Sequence, residues 1–454
     1  MDSVTVRVVS PIYRLMVSRW FVVILLATTC QGASSIVEAI QRRDPQAVAA
    51  LVKQKADVNA VQPDGATALS WAVYLGDAES AKLLLSAGAK VNTANENGET
   101  PLMLACGNGD SALVGQLIEA GADVKAVRWD GATPLMIAAG AGNADAVRAL
   151  VEAGAAIDVV ESRKGQSALM FAAAEGHSEV VKVLIDKGAN VRAASKAGFT
   201  PLVFAAVKND AESVGSLLAA GADVNTALPD GTRALNVAVA NRSSAAASAL
   251  LDGGADPKKA DRAGATALHL AAQSGDTKLI KHLIAKGADI NAKTPPSMPS
   301  GFRGSVGEQT PLMAAARAGH IEVMRALIEA GADPKAKGTD GASLLFAAIG
   351  SANVKVVQFA YQYDSDVKLV TSTGNTAMHV SVSGTANGAT LDAQERVCEV
   401  IRFLAEKGAP LDERNKSGRT PIDIADILPI DKAVDLFTQL IVQSGAKPKS
   451  PSAR

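Results

Sequence analysis

Five histidines and three cysteines are where any acid–base, nucleophilic or metal chemistry of this chain would have to start. His269 and His379 each stand three residues after a threonine, in Thr266-Ala267-Leu268-His269 and Thr376-Ala377-Met378-His379, while His177 and His320 each follow a glycine. Recurrence of that kind explains four histidines by register, without a site. His282 is a lone residue on a helical stretch. Cys30, Cys106 and Cys398 match no zinc spacing and cannot frame a disulfide-linked fold. Cys106, among small residues, and Cys398, on an apolar segment, read as small core residues. The sequence has no Gly-x-x-x-x-Gly-Lys loop, no His-Glu-x-x-His helix and no Cys-x-x-Cys pair. His177-Ser178-Glu179 and His320-Ile321-Glu322 supply half of a deaminase motif whose Pro-Cys-x-x-Cys partner is missing. Asn241-Arg242-Ser243 and Asn415-Lys416-Ser417 are glycosylation triplets only on a eukaryotic secretory route. No catalytic residue, metal ligand or cofactor site is assigned, and the chain reads as a non-enzyme.

Composition narrows the alternatives. Hydrophobic residues make up 48% of the 454 and charged residues 20%, which excludes wholesale disorder and permits a large core. Lys plus Arg number 45 against 46 for Asp plus Glu, so no global basic field draws in a phosphate backbone. Aromatic residues, at 4%, leave few platforms for stacked bases, so nucleic acid is not an expected partner.

At the amino terminus Arg7, Arg14 and Arg19 precede the apolar run Trp20 to Ala27, with small and polar residues to Ser35. This is the layout of a secretory signal peptide over residues 1–33, cleaved near Ala33. The run is shorter than the roughly 20 helical residues that span a hydrocarbon core, so stable membrane insertion after cleavage is not expected. Because the arginines come first, the positive-inside rule puts the rest of the chain outside the cytoplasm, in a periplasm or secreted. Lipidation of Cys30 fits the residues before it poorly.

The elements that would position any side chain follow a fixed period. Gly65, Gly98, Gly131, Gly165, Gly198, Gly231 and Gly264 lie 33 residues apart, with one interval of 34. A second landmark keeps the same phase: Gly88-Ala89, Gly121-Ala122, Gly154-Ala155, Gly188-Ala189, Gly221-Ala222, Gly254-Ala255 and Gly287-Ala288, usually followed by Asp or Asn. Between the landmarks lies a short Ala-rich segment, then a longer one with apolar residues at helical spacing, such as Val147, Leu150 and Val151. Each unit therefore predicts two helices. In Thr100-Pro101-Leu102, Thr133-Pro134-Leu135, Thr200-Pro201-Leu202 and Thr310-Pro311-Leu312 the hydroxyl can cap orphan amides while proline takes the first helical position. Ala138-Ala139 and Ala172-Ala173 let neighbouring first helices approach closely, Gly142 or Gly176 stops them, and the Gly-Ala pair ends the second helix. The segment from Asp123 to Gly131 reads as an extended turn.

On these residues the sequence resembles the ankyrin repeat family, whose pattern is Gly-x-Thr-Pro-Leu-His-x-Ala-Ala, then Gly-His-x-Glu-Val-Val, then Gly-Ala-Asp-Val-Asn. The likeness runs from about residue 35 to 445. It implies an all-α solenoid of about twelve helix-turn-helix units joined by β-turn fingers. The units divide into a degenerate capping repeat at 34–61, regular repeats at 62–293, an insertion in a finger at 294–306, repeats at 307–414 with a second insertion near 384–394, a terminal capping repeat at 415–445 and a disordered tail at 446–454. Arg233 stands where a capping hydroxyl belongs, and Tyr361-Gln362-Tyr363-Asp364 replaces a Gly-Ala pair.

The resemblance further implies protein recognition through finger tips and first-helix residues. On this chain those variable positions are Tyr74, Leu75, Asn108, Trp129, Glu175, Phe199, Lys208, Asn241, Gln273 and Arg317. Arg128 joins them beside Trp129, which is either folded back into the core or an interface residue. Both insertions read as tolerated surface loops; the sharper reading makes the first a binding element, with Met298, Phe302 and Arg303 on a proline-stiffened arm. The favoured function is a monomeric, non-catalytic protein-binding scaffold. A second reading is an envelope-structural or regulatory solenoid that binds a small ligand or controls a periplasmic enzyme.

Overall fold

In the computed structural model, residues 35–296, 308–383 and 390–447 are described. The signal-peptide segment, Cys30, Met298, Phe302 and Arg303 lie outside them. Among the described residues there are 24 helices and no strand, only three isolated antiparallel bridges, such as Val61 to Thr67, that close individual fingers. The chain forms two compact units. One comprises residues to Pro229 together with Ala245–Gly253, the other Asp230–Ser244 together with the residues from Gly254 onward.

One repeat shows why the period folds as it does. Thr133 is extended (φ −105°, ψ 161°) and its hydroxyl accepts from the Met136 N–H at 3.3 Å, with Pro134 at the first helical position. A cap of this kind contributes about 1 kcal/mol. The helix Pro134–Ala141 buries Pro134, Leu135, Met136, Ile137, Ala138 and Ala139, because neighbouring first helices flank it on two sides and its own second helix lies behind it. Ala138 and Ala139, both without exposed surface, keep part of this crowded helix narrow. Gly142, at φ 78°, ends the helix in the left-handed region. It has a second reason to be glycine: a Cβ there would stand 2.6 Å from the His177 ring of the next repeat. The second helix, Ala144–Glu152, buries one face only, Ala144, Ala146, Val147 and Leu150.

The second helices carry a start signal absent from the motif reading. Asp77, Asp110, Asn143, Asp210 and Asp276 each precede one and accept from the N–H three residues on, at 2.9 to 3.0 Å. The acidic members also meet the positive end of the helix dipole. His177 and His320 occupy this same position and make no cap bond. Their rings instead reach back one repeat, where Nε2 lies 3.1 Å from the Gly140 and Gln273 carbonyls respectively.

Departures from the pattern find local compensation. Arg233 makes no cap bond, yet Asn236 is buried and its Nδ2 donates to the Lys259 carbonyl at 3.2 Å, tying the first helix Ala234–Ala240 to the next repeat. Ser343 makes no cap bond either; Asp364 Oδ2 accepts from the Leu345 N–H at 3.1 Å in its place. Where Gly-Ala is missing, Tyr361 meets Phe403 edge-on at 5.5 Å and Phe359 meets Tyr363 at 5.5 Å. The second insertion departs from the expected loop. Its last residues belong to the helix Leu391–Glu406, which the insertion lengthens to sixteen residues. The extension places Gln394 so that its Oε1 accepts from the Lys432 N–H at 3.2 Å, at the start of the final helix Asp431–Gln443.

Candidate interaction surface on the repeat fingers

Each finger is a tight turn stabilised by its own side chains. Asn95 Oδ1 accepts from the Asn97 and Glu99 N–H groups at 3.0 and 2.9 Å, and Asp130 Oδ1 from the Ala132 N–H at 3.1 Å. Successive fingers are then joined through the backbone. The Glu96 N–H donates to the Asp64 carbonyl at 3.1 Å, Ser162 to Asp130 at 3.0 Å, and Lys196 to Lys164 at 2.8 Å. At Gly131 (φ 86°) a Cβ would meet the Ser162 nitrogen at 2.6 Å, so finger contact itself demands glycine. Just beyond each second helix a further set of bonds runs from repeat to repeat. Asn59 donates to the Gly88 carbonyl at 3.1 Å and accepts from the Lys90 N–H at 2.7 Å; Asn92 does the same with Gly121 and Asp123.

On this frame Trp129 is 68% exposed, which removes the folded-back alternative. Its ring neighbour is the guanidinium of Arg163 from the next finger, 5.9 Å from the ring centroid. Arg128, beside it in sequence, turns the other way. With a side chain only 15% exposed it pairs with Glu99 at 3.1 Å and Asp130 at 2.7 Å. Burial raises the Asp130 carboxyl, but the Arg128 guanidinium and the Ala132 N–H outweigh it and hold the group below its usual range. Arg128 thus stiffens the finger from within. Val127 on the same finger and Val159 and Val160 on the next are also exposed. These valines and Arg163 escaped the motif reading, although Val127 and Val160 share the register that also exposes Val61.

The other candidate residues fall into separate groups. Tyr74 is half-buried, edge-on to Trp71 at 5.8 Å, and its carbonyl accepts from Asn108 Nδ2 at 3.1 Å, with Leu75 capping the same helix. Asn108 therefore closes the preceding helix end. Lys208 approaches Glu175 at 3.7 Å across adjacent repeats. Phe199 is half-buried against Phe204 at 5.7 Å. Asn241 bonds the Val237 carbonyl of its own helix at 2.8 Å. Gln273 is exposed and its carbonyl faces His320. Arg317 is exposed, with Nη2 3.0 Å from the Gln309 amide oxygen when that oxygen faces it. Tyr74, Trp129 and Phe199 each keep their own ring neighbour.

The histidines are built into repeat contacts. His269 and His379 are buried. Thr266 and Thr376 donate their N–H to Nδ1 at 3.3 and 3.1 Å, and Nε2 reaches the Gln309 and Arg419 carbonyls of the next repeat at 2.9 and 3.0 Å. An Nδ1 that accepts carries no proton, so Nε2 is the donor and both rings are neutral. Burial holds both below the usual histidine value, against the bond to the facing carbonyl. Burial likewise pushes the Cys106 thiol up to about 12 and raises that of Cys398, which leaves neither poised as a thiolate. Among the described residues no group of three or more His, Cys, Asp or Glu could hold a metal ion, and no helix is long and apolar enough to cross a membrane. An open cleft of about 400 Å³ is lined by Val191, Arg192, Thr200, Ala222, Asp223 and Thr226.

The family model for ankyrin repeats (three copies) matches residues 21–95, 88–160, 108–195, 153–227, 202–294 and 312–391. Among solved structures the chain is similar to the human ASB11 ankyrin repeat domain, at 30% identity and a TM-score of 0.45, over 49% of this chain and 98% of that one. No curated protein matches.

Proposed function

The chain belongs to the ankyrin repeat family, and we propose that it is a non-catalytic protein-binding scaffold acting outside the cytoplasm. Repeat domains of this family typically serve as protein-interaction scaffolds. The observation that carries the reading is Trp129: a large aromatic left exposed on a finger that backbone bonds and the Arg128 network hold rigid. Tryptophan and arginine dominate binding hot spots, and a pre-stiffened loop loses little entropy on association. Action outside the cytoplasm rests on the arginine-flanked apolar run at Trp20 to Ala27.

Affinity capture from the exported fraction tests both parts. A stoichiometric protein partner is expected, and Trp129→Ala should weaken it at least about tenfold with little change in melting temperature, because the side chain is exposed. A Trp129→Ala variant that melts several degrees lower and binds normally would remove Trp129 from the interface. Recovery of the protein only from the cytoplasm would overturn the location.

A further inference from the structure

Beyond Trp129 the tips of the next two fingers carry positive charge. Arg163, Lys164 and Lys196 are all exposed on the two fingers that follow it. Two carboxylates lie on these fingers: Asp158 Oδ1 accepts from the Asn190 N–H at 2.9 Å, and Glu161 is buried and accepts from the N–H groups of Arg163, Lys164 and Gln166 at 2.6 to 3.0 Å. Glu161 is spent on the turn. No carboxylate pairs with Arg163 or Lys164 among the described residues. Two of the three cations are also held in place. Ser162 is bonded to Asp130 through both its N–H and, at 2.6 Å, its hydroxyl; Lys196 reaches the Ser162 carbonyl at 2.5 Å; and Arg163 lies over the Trp129 face. On the other side of Trp129 the finger at 95–98 presents Glu96 instead.

We propose that the tips at Trp129, Arg163, Lys164 and Lys196 form a docking site for an acidic peptide segment of a partner protein, with an apolar side chain seated on Trp129 and carboxylates on the three cations. This rests on the protein-binding reading above and adds the chemical class of partner. The Arg163 guanidinium is placed over the Trp129 ring, 5.9 Å from its centroid, and its donors can bond a carboxylate of the partner. The polarity across Trp129, acidic at Glu96 and basic from Arg163 onward, further sets the direction in which the acidic part must lie. A nucleic acid is disfavoured by the same polarity, since a uniformly charged backbone would cross Glu96, and three cations release few counterions.

The test is selection of a random-peptide display library on the full chain, followed by binding of the selected peptides in solution. Peptides that combine Glu or Asp with an aromatic or leucine are expected, with affinity that falls as salt rises. Arg163→Glu with Lys164→Glu should weaken them by at least about tenfold while the melting temperature holds, and the same variant should select basic peptides instead. Selected sequences without acidic bias, undiminished binding by the charge-reversed variant, or tighter binding of a single-stranded oligonucleotide would each overturn the proposal. A partner captured in cells that depends on Trp129 but not on Arg163 and Lys164 would sink the acidic class alone and leave the scaffold function standing.

Discussion

The two compact units solve the same packing problem differently at the fourth residue of the first-helix motif. In the first unit that place holds Ser70, whose hydroxyl bonds its own cap residue Thr67, and then Met103, Met136, Met170 and Val203, all buried and without a polar atom able to bond across repeats. In the second it holds Asn236, His269 and His379, whose side chains donate to carbonyls of the following repeat, and at the last repeat Asp423, which accepts from its own cap residue Thr420 at 2.8 Å. Met313 and Phe346 keep a buried apolar residue there. Methionine fills an irregular gap without directional demands, so it contributes through volume. A buried histidine adds two bonds and becomes costly if either partner is lost. One period thus supports an apolar joint and a polar joint, and only the second carries a dependence on protonation.

The largest expected break is in the apolar joint. Met170→Ala leaves a cavity beneath fully buried neighbours and should cost about 2–5 kcal/mol, read as faster amide exchange over the repeats containing residues 134–186. Next comes His379→Met, which keeps the volume but strands the Arg419 carbonyl and the Thr376 N–H. A loss of about 1–3 kcal/mol is expected, confined to the second unit. If His379→Met is neutral while Met170→Ala is costly, the polar joint works by volume as well and the contrast collapses.

The smallest effect sharpens the comparison through pH. Both buried histidines have a folded pKa below the unfolded value of about 6.5, so the unfolded chain binds more protons as pH falls through that value. Their stabilisation is therefore complete above about pH 6.5 and declines between there and the lowered folded values. Exchange rates measured across this window should rise around His269 and His379 and stay flat around Met136 and Met170. A uniform response in both units would contradict the assignment of the effect to these rings.

The period of 33, the helix starts at Thr-Pro, the left-handed glycines and the location of the histidines at structural positions were all legible in the sequence. Each is a local demand of backbone geometry repeated in register, and repetition makes it visible. Tertiary structure decided which partner each side chain takes. Arg128 and Arg163 are alike in sequence, yet one is drawn inward because Glu99 and Asp130 flank it, and the other lies on Trp129 because its own carboxylate neighbour, Glu161, already satisfies the turn. Gln394 looked like part of a loop until a lengthened helix carried it to the start of the final one. Asn236 showed no motif and still bridges repeats. The contacts among these that cross from repeat to repeat join residues 23 to 38 positions apart, so they depend on what the neighbouring repeat happens to present, and a pattern read along one strand of sequence cannot contain that information.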